Sequence, residues 1–253
     1  MSFYELSKPE RVAVVAKIKA DLLTDIQQEK EIYFIKYFSD DDTYIRKSAY
    51  LNIGRIYFEH LPLQKKIISL FKKLQSETDF KIRQTVINAA GEIGIKEFEP
   101  VEHFFDTGLF DHHHSPRNAV IGSIKKMGEK NPKPVLKWAK KYLHHPDKEI
   151  RREICHGIEL RGRTHPQDIL PLLKELQFDT TARVKNTLVH VIGQIAYKKG
   201  CLETVITDLN TWKNKEVVLK AIDEIIDVHY RYRNFSILTQ KQATAYIEKH
   251  FKA

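Results

Sequence analysis

The chain has 253 residues, with 42 Lys and Arg against 33 Asp and Glu, giving a formal net charge of +9. That surplus points toward acidic or phosphate-bearing partners. Two cysteines 46 residues apart, Cys155 and Cys201, are too few for a disulfide framework, and no apolar run approaches the roughly 20 residues of a membrane span.

The first predicted element is an amphipathic helix over residues 8–23. It lacks the apolar core of a signal peptide, so the expected location is cytoplasmic. Beyond it a motif recurs. Ile45-Arg46, Ile82-Arg83, the degenerate Pro116-Arg117, Ile150-Arg151, Val184-Lys185 and Val217-Val218 each open an apolar helical run. The aligned second positions fall at 46, 83, 117, 151, 185 and 218, in steps of 37, 34, 34, 34 and 33 residues. A period in that range marks an array of supersecondary units.

Shorter first helices are predicted over residues 31–38, 63–74, 132–143, 166–176 and 202–212, each followed by a polar turn and a longer second helix. Asp42, Asp79 and Asp147 stand where an N-cap accepts orphan backbone N–H groups. Pro132 and Pro166 suit a first helical position. Ile150, Ile154 and Ile158 lie at i, i+4, i+8, as do Val184, Leu188 and Ile192, the spacing of one apolar stripe. Gly91 and Gly94, inside a helical pattern, permit close helix contact, and Gly162 stands where a helix stop is expected. The array breaks near residues 230–234, and a capping helix is predicted over 239–251.

One helix pair cannot bury its own apolar face, whereas stacked pairs can. The expected fold is therefore all-α, a right-handed α-α superhelix of about six repeats. It forms one domain over residues 1–253, with the repeats spanning 29–229, and a monomer is expected. The motif resembles that of HEAT repeats, which implies an Asp–Arg ladder between successive units.

Residues 112–200 hold 18 Lys and Arg against 8 Asp and Glu, a net of +10, so the rest of the chain sums to −1. A basic concave face is an electrostatic footprint for phosphate backbones. Lys130, Lys133, Lys137, Lys140 and Lys141 fit a solvated first-helix face equally well. Arg152, His156, Glu159 and Arg163, at i, i+4, i+7 and i+11, share one polar helical face. That face is either a salt-bridged surface or a phosphate-contacting patch in which Glu159 orients an arginine.

Asn131-Pro132, Val135-Leu136-Lys137-Trp138, the run Pro146 to Arg152 and the helix over 184–197 resemble the AlkC/AlkD class of HEAT-like alkylpurine DNA glycosylases, over about a third of the chain. The resemblance implies that Arg152 stands beside the active-site cleft. It places Asn118 where active members carry a catalytic aspartate, and His114 and His190 where members present tryptophans along the DNA. Glycosidic cleavage passes through a cationic sugar that a carboxylate stabilises, and neutral Asn118 cannot do this. Residues 112–128 contain no Asp or Glu. The expectation is a DNA-binding relative with little or no base excision, contacting duplex, branched or damaged DNA through His114, Arg117, Asn118, Arg152, His156, Arg163, Lys185 and His190. The alternative is a protein-interaction scaffold for an acidic segment. No cofactor is expected. Nor is a metal site, since the consecutive residues His112, His113 and His114 cannot all face one ion.

Overall fold

The computed structural model describes residues 3–252; residues 1, 2 and 253 of the expected domain lie outside them. Among the described residues are fifteen α-helices, three short 3-10 turns and no strand. The chain is an all-α repeat protein of stacked helix pairs. It divides into two compact units, Met1–Asn131 and Pro132–Ala253.

The first unit comprises α1 (Lys8–Gln28), α2 (Ile32–Phe38), α3 (Thr43–Glu59), α4 (Gln64–Leu74), α5 (Phe80–Gly94), α6 (Glu102–Leu109) and α7 (His114–Lys130). Helices α1, α3, α5 and α7 pack each on the next, with α2, α4 and α6 as the second layer. Helix α1 outruns its predicted end at residue 23 because Asp25 and Ile26 are buried, and Glu29 closes it at φ 56°. The Asp25 carboxylate accepts from the backbone N–H groups of Tyr33 (2.6 Å) and Phe34 (3.1 Å), so the end of α1 anchors the start of α2. Sequence periodicity does not predict α6. Only eight residues long, it is held by burying Phe104, Phe105 and Leu109.

The second unit comprises α8 (Pro132–Lys140), α9 (Lys148–Gly157), α10 (Glu159–Gly162), α11 (Pro166–Glu175), α12 (Ala182–Gln194), α13 (Cys201–Leu209), α14 (Lys215–Arg231) and α15 (Gln240–His250). Here α9, α12 and α14 form the second-helix layer, backed by α11, α13 and α15. The predicted stripes are buried: Ile150, Ile154 and Ile158 in one helix, Val184, Leu188 and Ile192 in the next. Each such side chain contributes about 1.5–3 kcal/mol by leaving water. The fourth second helix is not continuous, since it breaks at Ile158 between α9 and α10.

The three aspartates do cap their helices, accepting from Tyr44, Lys81 and Glu149 N–H groups at 2.8 Å each. The ladder uses a different acid. Arg83 makes a paired contact with Asp111 (2.7 and 2.9 Å), and Arg151 does so with Asp179 (2.6 and 3.2 Å). Each arginine also donates to two carbonyls of its own turn: Glu77 and Thr78 for Arg83, His145 and Pro146 for Arg151. The acids in turn accept from the N-cap residue of the next second helix, Asp111 from His113 N and Asp179 from Thr181 N, both at 2.8 Å. Burial alone would raise the Asp179 carboxyl. The Arg151 and Thr181 hydrogen bonds outweigh it and hold the group below its ordinary range, and Asp111 is held down likewise by Arg83 and His113.

Glycine follows packing. A Cβ at Gly91 would come within 2.6 Å of Ser123 Oγ, which keeps α5 close to α7. Gly162 does not adopt the positive φ of a helix stop. It is buried, and a Cβ there would strike Ile169 and Ile195. Close approach, rather than chain reversal, requires glycine at that position.

Candidate functional site

The basic charge segregates by unit. Residues 132–253 carry 22 Lys and Arg against 14 Asp and Glu, a net of +8 out of the chain's +9. Within that unit, α9 and α12 run side by side and frame an open cavity of about 370 Å³. Its lining is Arg152 and His156 from α9, with Arg183, Asn186, Thr187 and His190 from α12. Three of the residues expected to contact DNA, Arg152, His156 and His190, are thus brought to one place, 38 residues apart at the extremes.

Tandem arginines of the fourth motif divide the work. Arg151 is tied to Asp179 as part of the ladder, while Arg152 looks into the cavity. The Arg152 Nε donates to Glu149 Oε2 at 3.0 Å, and its Nη2 lies 3.4 Å from Glu153 Oε1. Arg183, 64% exposed, reaches the other oxygen of the same Glu149 at 3.1 Å. Two guanidinium groups therefore converge on one half-exposed carboxylate. Sequence reasoning did not single out Arg183, Asn186 or Thr187. Arg183 sits two residues before the motif position Lys185, on the turn of α12 that faces α9.

Glu159 differs from its expected exposed setting: its side chain is buried, with 2% exposure. It does orient an arginine. Arg163 donates through Nε (2.9 Å) and Nη2 to Oε1, and Nη2 also reaches Gln194 Oε1 at 3.1 Å. Oε2 faces His156 Nε2 at 3.2 Å. His190 Nδ1 lies 3.5 Å from Glu224 Oε1, and the His156 and His190 rings stand 6.2 Å apart, nearly edge to face. One potential ligand atom from each of His156, Glu159 and His190 falls within 4.8 Å of the others. Arg163 therefore buttresses the site from behind. Lys185 is half-buried outside the cavity lining, close enough to help lower the Glu216 carboxyl below its usual range after the dominant Lys220 contacts.

The remaining expected residues lie on α7 of the first unit. Arg117 donates to the Asp111 carbonyl at 2.6 Å, the place a ladder arginine takes in its own turn. Asn118 and His114 are exposed. The His114 ring stacks on His113 (4.5 Å), which lies flat on Phe80 at 3.8 Å. Asp111, the nearest preceding carboxylate, is held in the Arg83 pair. Cys155 and Cys201 are free thiols, both buried.

No protein-family model matches this chain. No curated protein matches it either. Among solved structures, the chain is similar to the Escherichia coli protein YibA, at 18% identity over 84% of this chain and 75% of that chain, with a TM-score of 0.44. It is similar to smu.31 from Streptococcus mutans UA159, at 16% identity over 82% of this chain and 95% of that chain, with a TM-score of 0.48. It also resembles computationally designed armadillo repeat proteins for modular peptide recognition, at 15% identity over 77% of this chain and 98% of that chain, with a TM-score of 0.35.

Proposed function

We propose that the second-helix layer of the second unit binds duplex DNA through its phosphates, in a HEAT-like repeat protein related to alkylpurine glycosylases that has weak or no base excision. The observation that carries this is the convergence of Arg152 and Arg183 on the single carboxylate of Glu149. A carboxylate held between two guanidinium groups occupies the place a phosphate would take. Glu149 is about one-third exposed and can swing aside. Asn186 and Thr187 supply further donors around the cavity, and the unit's net +8 supplies the long-range attraction. Contacts of this kind read shape rather than sequence. Weak or no excision is expected because Asn118 is neutral and Asp111 is committed to Arg83.

The test is fluorescence anisotropy with a 20-base-pair duplex across a salt series. The expected log K against log salt slope corresponds to several phosphates, at about −0.9 per phosphate. Glu149→Gln should tighten binding by releasing both arginines. A chain that ignores duplex at low salt but captures a polyglutamate peptide would instead be an acidic-segment scaffold.

A further inference from the structure

The geometry points to a binding site for one first-row divalent cation of the zinc class, formed by His156, Glu159 and His190 on the second-helix layer of the second unit. It does not depend on DNA binding. Its ligands are two imidazoles and one carboxylate, drawn from α9, α10 and α12. Two nitrogens and one oxygen suit zinc, cobalt or nickel; calcium and magnesium require six or more oxygens.

Spacing supports the assignment. With metal–ligand bonds near 2.0–2.1 Å, two ligand atoms on a tetrahedral centre stand about 3.3 Å apart. Glu159 Oε2 and His156 Nε2 are already 3.2 Å apart. An ion can bridge them without widening the gap between α9 and α10. The third pair of atoms lies within 4.8 Å, so His190 must close by at most about 1.5 Å, within the reach of a side-chain torsion. His190 is also the ligand with most freedom, its side chain being 43% exposed against 2% for Glu159.

The surroundings provide what a metal site needs behind its ligands. Arg163 grips Oε1 of Glu159 and turns Oε2 toward His156. Glu224 lies 3.5 Å from His190 Nδ1, where it can hold one ring nitrogen while the other faces the ion. Local charge tolerates a cation. Arg152, Arg163, Arg183 and Arg231 are matched by Glu149, Glu153, Glu159 and Glu224, with Asp227 also on Arg231. Three protein ligands leave a fourth position, which opens on the cavity between Arg152 and Arg183. Water, or an anion such as a phosphate ester or carboxylate, completes the sphere there. The sequence conceals the set because Glu159 and His190 are 31 residues apart and belong to successive repeats.

Cobalt(II) is the probe, added to chelator-treated full-length protein in the absence of nucleic acid, so the outcome is separate from that of the duplex assay. One equivalent per chain should produce the visible absorption of a four- or five-coordinate ion, and zinc should displace it. His190→Ala, at a half-exposed position, should abolish that absorption and weaken binding by more than about 100-fold, with unchanged far-UV circular dichroism. Glu224→Gln, removing an outer partner, should cost about 10–100-fold. Replacing His112, His113 and His114 together by Ala should leave the signal intact. Cobalt absorption that survives His190→Ala, or that vanishes with the triple replacement, would overturn the assignment, as would binding no tighter than millimolar in the unaltered chain.

Discussion

Asp179→Asn isolates the ladder. The substitution keeps an oxygen for Thr181 N–H but removes the negative charge from a pair whose side chains are 13% (Arg151) and 5% (Asp179) exposed. Breaking a buried pair by removing one partner costs about 3–5 kcal/mol, because the other charge stays buried. Arg151 keeps two carbonyl acceptors, from His145 and Pro146, so the expected loss lies at the low end, about 3 kcal/mol. Both tryptophans of the chain, Trp138 and Trp212, are buried in the second unit, so their fluorescence reports that unit's unfolding. With an m-value of about 2 kcal/mol/M for urea, the midpoint should fall by about 1.5 M. The sign with pH is fixed by the lowered native carboxyl. Its stabilisation is full above the unfolded-state value of about 3.9 and fades as pH drops through the native one. Wild type and variant should therefore converge as the pH falls below the lowered native value of Asp179. A midpoint shift under about 0.3 M at pH 7, or one that persists undiminished in acid, would show that the Arg151–Asp179 pair does not stabilise the unit in this way.

Three further outcomes follow from the packing and the site. Gly162→Ala should cost about 2 kcal/mol by overpacking against Ile169 and Ile195, whereas Gly122→Ala, with open space around its Cβ, should stabilise by up to about 1 kcal/mol; urea midpoints of the two should move in opposite directions. Burial pushes the Cys155 thiol far up, with Glu159 and Asp179 adding to it, and burial also raises Cys201. A thiol-reactive disulfide reagent should therefore label neither thiol quickly until urea is added, and rapid labelling of the folded chain would contradict the burial. Charge reversal at Arg152 should weaken duplex binding by about tenfold or more, with a smaller loss at Lys185 because it stands outside the cavity lining; anisotropy titrations check the ranking, and equal effects would relocate the contact surface.

The repeat was legible because its signals are local. An Asp before a helix, an apolar residue every fourth position and a basic residue at a steady period can all be read along the chain. What escaped reading is what depends on neighbours. Helix α6 is short, and its stability comes from Phe104 and Phe105 meeting other helices rather than from its own pattern. Glu159 sits in a polar sequence pattern, yet the break at Ile158 turns it inward, where Arg163 can satisfy it. Arg152, His156 and His190 were identified from charge and resemblance. Arg183, Asn186 and Thr187 were not, because only the packing of α12 on α9 places them opposite Arg152.

The ladder also gives the array a direction. In both intact rungs the arginine precedes its acid by 28 residues, so each second helix secures the opening turn of the one synthesised after it. The two kinds of truncation are consequently unequal. A chain cut short after residue 178 leaves Arg151 only the carbonyls of His145 and Pro146 as partners. A chain begun after residue 151 strands Asp179, which still has Thr181 and can take up a proton. A ribosome-bound chain therefore holds each arginine ready before its acid emerges.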